Sequence, residues 1–241
     1  MTTLSKIIIA ALLGALASSC NMDFKISGVK GNGNVTTEQR QVTGDYNQIK
    51  ISSGLDVYLT QSNNSSIEVE ADENLQDIII TEVDGEVLKI YANENISSSA
   101  SKKVMVTFNK ATRIKATSGS DVYGTNTIEG DHFVLETSSG SDMELSLKAQ
   151  SIDCSASSGS DLELSGSTTD LIAKASSGSD IDAENLSTQS SHVKATSGAG
   201  IKVNTSKELI ATATSGGDVT YYGNPQKVEK SDNVSGSIKK H

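Results

Sequence analysis

The sequence predicts an all-β chain: a right-handed parallel β-helix, or β-solenoid, with coils of about nineteen residues and an antiparallel, hairpin-containing N-terminal part. Three observations predict it. The phrase Ser-Ser-Gly-Ser-Asp stands complete at Ser138–Asp142, Ser157–Asp161 and Ser176–Asp180, with variants at Ser52–Asp56, Thr117–Asp121, Thr196–Gly200 and Thr214–Asp218. From Gly119 its glycines fall at 119, 140, 159, 178, 198 and 216, steps of 21, 19, 19, 20 and 18 residues, and a period near twenty marks a stacked repeat architecture. On both sides of each phrase apolar and polar residues alternate, the period of two that gives a strand one buried face and one wet face.

The first nineteen residues read as an export signal. Lys6 supplies the positive n-region, and Ile7–Ala17 is an apolar run too short to cross a bilayer as a helix. Small residues then lead into Cys20, and Leu16–Cys20 resembles a bacterial lipobox, whose cysteine is acylated and becomes the new N-terminus. The alternative is an ordinary cleaved signal beside an incidental cysteine. Several acyl chains on Cys20 would give the durable membrane hold that a single chain does not. Cys154 is then left without a disulfide partner, and its inward place in the alternation makes it a small buried hydrophobe. Residues 20–45 form a tether and lead-in.

The repeat domain, residues 46–223, opens with Ile49–Leu59, which carries the first phrase. The interval from Gly54 to Gly119 breaks the period. It holds alternating runs at Ile67–Ala71, Ile78–Val83, Glu86–Ala92 and Lys103–Phe108, with Asp84-Gly85 as a hairpin turn and Asn93–Lys102 as a polar, serine-rich loop. These strands are expected to cap the N-terminal end, since an open solenoid end is a sticky edge. In the later coils, alignment on the serine before each glycine gives columns. Ala116, Ala156, Ala175, Ala195 and Ala213 precede the turn; Val57, Val122, Met143, Leu162, Ile181, Ile201 and Val219 follow it. The glycine is expected to take a positive φ, and the serines to bond turn backbone or a neighbouring coil. In one coil Ala199-Gly200 replaces Ser-Asp, so its turn need not match the others. Residues 224–241 form a polar C-terminal tail, expected to be loose from Ser231 onward.

The formal net charge is −10, and −11 once Lys6 is lost (−10 − 1), which argues against nucleic acid and against direct binding to anionic headgroups. With no Trp, three Phe and six Tyr, a sugar-stacking face has little to work with. The one column with chemistry in it is Asp121, Asp142, Asp161 and Asp180, carboxylates one coil apart whose repulsion a calcium ion would relieve. The plainer reading has each aspartate accepting turn amides as an Asx-turn, with water screening the charge. A polysaccharide lyase or hydrolase would use stacked carboxylates such as Glu144 and Glu163 with Arg113, Lys115 or Lys174 nearby and Lys194 and Lys202 further along. His132, His192 and His241 show no metal spacing, and no catalytic or cofactor motif is present.

Cys20 after its signal, the Ile-x-Ile-Ser-Ser-Gly-x-Asp-Val-x-Leu segment at Ile49–Leu59 and the later Ser-Gly-Ser-Asp coils together resemble the head GIN domain of putative auto-transporter adhesins, common in Bacteroidetes envelope proteins. The resemblance covers about Tyr46 to Gly223. It implies a β-helical fold, a cell-envelope location and adhesion or interaction without defined catalytic residues. It leaves the partner open: a protein, a glycan, or further copies of the chain. A periplasmic scaffold or sensor is the other reading of the same tethered rod.

Overall fold

The structure, a computed structural model, describes residues 27–233 and 235–241. The segment read as an export signal, and Cys20, lie outside the described residues. In chain order the strands are β1 (Val29–Lys30), β2 (Val35–Arg40), β3 (Gln48–Ile51), β4 (Asp56–Gln61), β5 (Ser66–Asp72), β6 (Ile79–Asp84), β7 (Val87–Ala92), β8 (Ile96–Ser98), β9 (Lys102–Phe108), β10 (Arg113–Thr117), β11 (Asp121–Gly124), β12 (Ile128–Ser138), β13 (Asp142–Ser157), β14 (Asp161–Ser176), β15 (Asp180–Thr196), β16 (Gly200–Thr214), β17 (Asp218–Tyr222), β18 (Lys227–Asp232) and β19 (Ser237–Lys240). They build a β-solenoid of about seven turns, every coil from β10 onward pairing in parallel with the next.

Each coil turns a corner at its Ser-Gly pair. Ser139 and Gly140 have φ of 60° and 68°, and the same pair of positive values recurs at all seven phrases, from Ser53-Gly54 to Ser215-Gly216. Two successive residues at positive φ are the mark of a type I′ turn. Glycine reaches that region freely, whereas the serine does so against a cost of about 1 kcal/mol. The sequence reading assigned positive φ to the glycine alone. The stack holds the serine there, because the turns bond to one another: Ser139 N–H donates to Ser157 O at 3.3 Å and Gly140 N–H to Ser158 O at 3.2 Å.

The serine after each glycine faces inward and fixes the corner. Ser120, Ser141, Ser160 and Ser179 are fully buried. Ser179 Oγ accepts the Ser176 N–H at 3.0 Å and lies 2.8 Å from Ala156 O in the preceding coil and from Ser176 O. Ser141 repeats the pattern with Ser138 N–H and Ala116 O. In the coil that carries Ala199 the hydroxyl is lost but the backbone turn is kept, with φ of 56° and 72° at Ser197 and Gly198.

The predicted columns exist. Val57, Val122, Met143, Leu162, Ile181, Ile201 and Val219 stand in continuous register, all buried; each such side chain contributes about 1.5–3 kcal/mol. The alanine column is interrupted once, by buried Thr137 between Ala116 and Ala156.

The N-terminal end departs from sequential stacking. The first coil, β3–β4, sits between β10–β11 on one side and β7 and β9 on the other, all in parallel. The β6–β7 hairpin, with β5 antiparallel to both β9 and β2, then closes this end, as expected of the broken interval. At the other end the tail is not loose: β18 and β19 pair in parallel with β16 and β17 as a further coil. Its alternation is hidden because Lys230 and Asp232 occupy the inward places over Ala211 and Ala213. Inward charges on a last strand discourage a further strand from adding. Lys230 Nζ lies 4.8 Å from the centre of the Tyr221 ring.

Candidate functional site

The corner divides the exterior into two faces with different chemistry. On the face that follows the turn, register places Asp56, Asp121, Asp142, Asp161 and Asp180 in one unbroken row, so the predicted column gains Asp56. Lys103 stands beside Asp56 at one end and Gly200 beside Asp180 at the other. Two residues further along each strand runs a second row: Tyr58, Tyr123, Glu144, Glu163 and Asp182. The rings of Tyr58 and Tyr123 stack with centroids 5.3 Å apart. A shallow groove of about 250 Å³ runs between Tyr123, Asp142, Glu144, Asp161 and Glu163. The sequence reading missed this aromatic pair; the signal was the shared Asp-Val-Tyr at residues 56–58 and 121–123, which the turn alignment superposes.

Neighbouring coils in such a stack are about 4.8 Å apart, so the carboxylates repel by roughly 1 kcal/mol per pair where water screens them. Partial burial and the Asp142 and Asp56 charges push Asp121 up from the ordinary carboxylate range, against the pull of Lys102. Burial, Asp142 and Asp180 do the same to Asp161. Of the corner amides, the Asp180 N–H bonds to the Asp161 carboxylate and offsets part of this. Ser141, Ser160 and Ser179 accept the N–H of Ser138, Ser157 and Ser176, the role that the Asx-turn reading gave to the aspartates. Among the described residues no three His, Cys, Asp or Glu side chains converge as a metal centre would require, so the row is a ladder and not a cage.

The face that precedes the turn is basic at its N-terminal end. Lys89, Lys50 and Lys115 are in register, and Arg113 and Lys115 reach Glu136 at 2.9 and 3.1 Å. Glu144 and Glu163 stack as the lyase reading required. Arg113, Lys115 and Lys174 lie across the corner from them, because an outward residue before the turn belongs to a different face from one after it; Lys194 does too, whereas Lys202 continues the row beyond Asp182 and pairs with it at 2.7 Å. The histidines are dispersed: His132 Nδ1 is 2.8 Å from Ser151 Oγ, His192 stands between Ile172 and Ile210, and His241 stacks on Tyr222 at 4.6 Å. Cys154 is buried, as its place in the alternation predicted, and desolvation pushes its thiol far up.

The broken interval builds a second feature. Residues 93–101, with β8 inside them, arch over the corner of the first coils and are clasped by the N-terminal lead-in, where β1 pairs in parallel with β8. Val29 N–H donates to Asn95 O at 2.7 Å and Gly31 N–H to Ser98 O at 2.8 Å. Buried Asp72 anchors the base of the arch by accepting the N–H groups of Ala100, Ser101 and Gly33. Beneath the arch lies an open concavity of about 650 Å³, bounded by Ser53, Gly54, Asn93, Ser98, Ser99 and Lys102. The Lys102 ammonium donates to Gly54 O and lies 3.4 Å from Asp56 Oδ1.

The structure is similar to solved bacterial proteins of low sequence identity, a likeness that shows the fold. The crystal structure of a putative adhesin from Bacteroides fragilis superposes with a TM-score of 0.83 at 19% identity, covering 89% of this chain and 100% of that one. A putative lipid binding protein from Parabacteroides distasonis gives 0.72 at 21%, covering 88% and 99%. A putative adhesin from Parabacteroides merdae gives 0.69 at 19%, covering 88% and 98%. No curated protein matches the sequence. Residues 45–225 match the family model described as "Putative auto-transporter adhesin, head GIN domain". The chain therefore belongs to the head GIN domain family of putative auto-transporter adhesins.

Proposed function

We propose that this protein is a lipid-anchored interaction module of the bacterial cell envelope, an adhesin in the broad sense, held to the outer membrane through acylated Cys20 and performing no catalysis. The observation that carries the reading is the stack itself. It holds the aspartate row and the Tyr58–Asp182 row at fixed spacing on one face, a surface built for multipoint contact and not for enclosing a reacting bond. The adhesin descriptions of the Bacteroides and Parabacteroides structures support the same reading.

Radiolabelled palmitate fed to cells expressing the full chain tests the anchor. Label is expected on the wild type and absent from Cys20→Ala; an unlabelled wild type removes the anchor from the proposal. Protease added to intact cells tests the side. Digestion of the solenoid is expected, whereas full protection overturns adhesion in favour of the periplasmic scaffold or sensor.

A further inference from the structure

The concavity under the 93–101 arch has the makings of a ligand site that the acidic face lacks. Its volume, about 650 Å³, falls within the range of small-molecule sites. Every other corner from Ser118 to Ser215 is followed by the next coil without such an insertion, so the space exists because the period breaks here.

The lining restricts the ligand. Ala92 and Ile96 supply the apolar contact, and the remaining walls are hydroxyls, amides and turn backbone. Lys102 is the one cation in the lining, already engaged by Gly54 O and Asp56, while Glu94 adds a negative charge. An anion is therefore poorly served. A metal cation is poorly served too, since no convergent ligand set exists among the described residues. Against that, the side chains of Asn93, Ser98 and Ser99 make no hydrogen bond within the described chain, although their neighbours Asn95 and Ser97 donate to Ser27 O and to Gly28 O and Val29 O in the lead-in. Uncommitted hydroxyls and an amide beside a small apolar patch match a polyol with one apolar ring face.

We propose that this concavity binds an uncharged sugar residue, with Asn93, Ser98 and Ser99 as hydrogen-bond partners and Ile96 against the ring. The proposal deepens the adhesive reading and rests on it. Scarce aromatics do not bar it, because Ala92 and Ile96 supply an apolar contact for one ring face and the arch adds a second wall.

The test uses the isotope-labelled mature protein carrying Cys20→Ala, titrated with maltotriose, mannotriose, chitotriose and N-acetyllactosamine and read by amide chemical shifts. At least one sugar is expected to move the resonances of residues 53–54 and 93–102 at millimolar concentration or below. Asn93→Ala, which breaks no bond of the fold, is expected to weaken that sugar about 3- to 10-fold, the loss of one neutral hydrogen bond, with an unchanged melting temperature. Ser98→Trp is expected to abolish it by filling the space. The responding sugar displayed as a glycolipid headgroup in phosphatidylcholine vesicles separates a free glycan source from a lipid-borne one; binding to bare vesicles alone overturns the proposal. So does silence from all four sugars, or shifts confined to the acidic face. Protein that is protease-accessible on cells yet silent to the sugars loses this site and keeps its adhesive role.

Discussion

Ser179→Ala isolates what the corner hydroxyl contributes. The side chain is fully buried, so no water replaces it; the Ser176 N–H loses the hydroxyl it donates to at 3.0 Å, and the Ala156 carbonyl loses the hydroxyl that donates to it at 2.8 Å. Losing two buried hydrogen bonds in this way costs about 1–3 kcal/mol, and the change in apolar area is negligible beside that. The next coil carries Ala199 at the equivalent place with the same turn, so alanine brings no clash and the loss is purely that of the hydroxyl. The converse substitution is then informative. Ala199→Ser is set to accept from Thr196 N–H and to donate toward Ala175 O, by analogy with Ser179 and Ala156, and is expected to gain about 0.5–1.5 kcal/mol. For a domain of this length 1 kcal/mol moves the melting temperature by about 2–4 °C. Calorimetry and urea denaturation of the mature protein should therefore show a fall of about 2–12 °C for Ser179→Ala and a rise for Ala199→Ser, with the urea m-value unchanged. If Ser179→Ala is neutral while Ala199→Ser destabilises, the hydroxyl column does not hold the corners and the argument fails.

Three further outcomes follow from the same geometry. Asp121 has its folded pKa raised by burial and by Asp142 and Asp56, so stability declines as pH rises from the unfolded value, about 3.9, through the raised one. Asp121→Asn is thus expected to raise the melting temperature at pH 7, with the gain vanishing near pH 3 and shrinking in 1 M salt; a pH-independent loss would contradict it. Burial alone would raise Asp72, but the N–H groups of Ala100, Gly33 and Ser101 outweigh it and hold the carboxyl below its ordinary range. Its stabilisation is present above the unfolded pKa and is lost as pH falls through the depressed one, so the protection of the amides of residues 100–101, measured against their intrinsic exchange rate at each pH, should fall on acidification below about pH 4, and Asp72→Asn should flatten that dependence. Gly166 has φ of +104° and a Cβ there would meet the Leu147 carbonyl, so Gly166→Ala should lower the melting temperature, whereas the same change at Gly159, where nothing lies within 4 Å, should carry only the backbone cost of its positive φ.

The coils from Gly119 to Asp218 were legible because the residues flanking each corner in β13 to β16 repeat the environment of their neighbours above, the register shifting only in the return segments, so one alignment fixes many contacts at once. The positive φ of Ser139 and its equivalents was hidden, since nothing in a serine signals it; the neighbouring turn supplies the bonds that hold it there. The place of β3–β4 between β10–β11 and the β7–β9 layer was hidden for a different reason. Ile51 meets Ile90 on one side and Ala116 on the other, and pairing between distant segments leaves no periodic trace. β18 escaped because Lys230 and Asp232 break the alternation at the very places where the end of the stack requires charge. Of the candidate site, the aspartate row was readable as a repeat; the concavity was readable only as the interval in which the repeat stops.

The β1–β8 clasp also determines how load enters the molecule. Any pull on the N-terminal lead-in reaches the solenoid first through β1, a strand of two residues, before it reaches the six-residue pairing of β2 with β5. The shorter pairing is expected to part first, which would make β1 a mechanical fuse in series with the coils. When it yields, the bonds from Val29 and Gly31 to the 93–101 arch go with it, and the wall of the concavity loses its support while the coils from β10 onward stay intact. Tension applied at the N-terminal lead-in would thus loosen this one edge of the domain before it disturbs the coils.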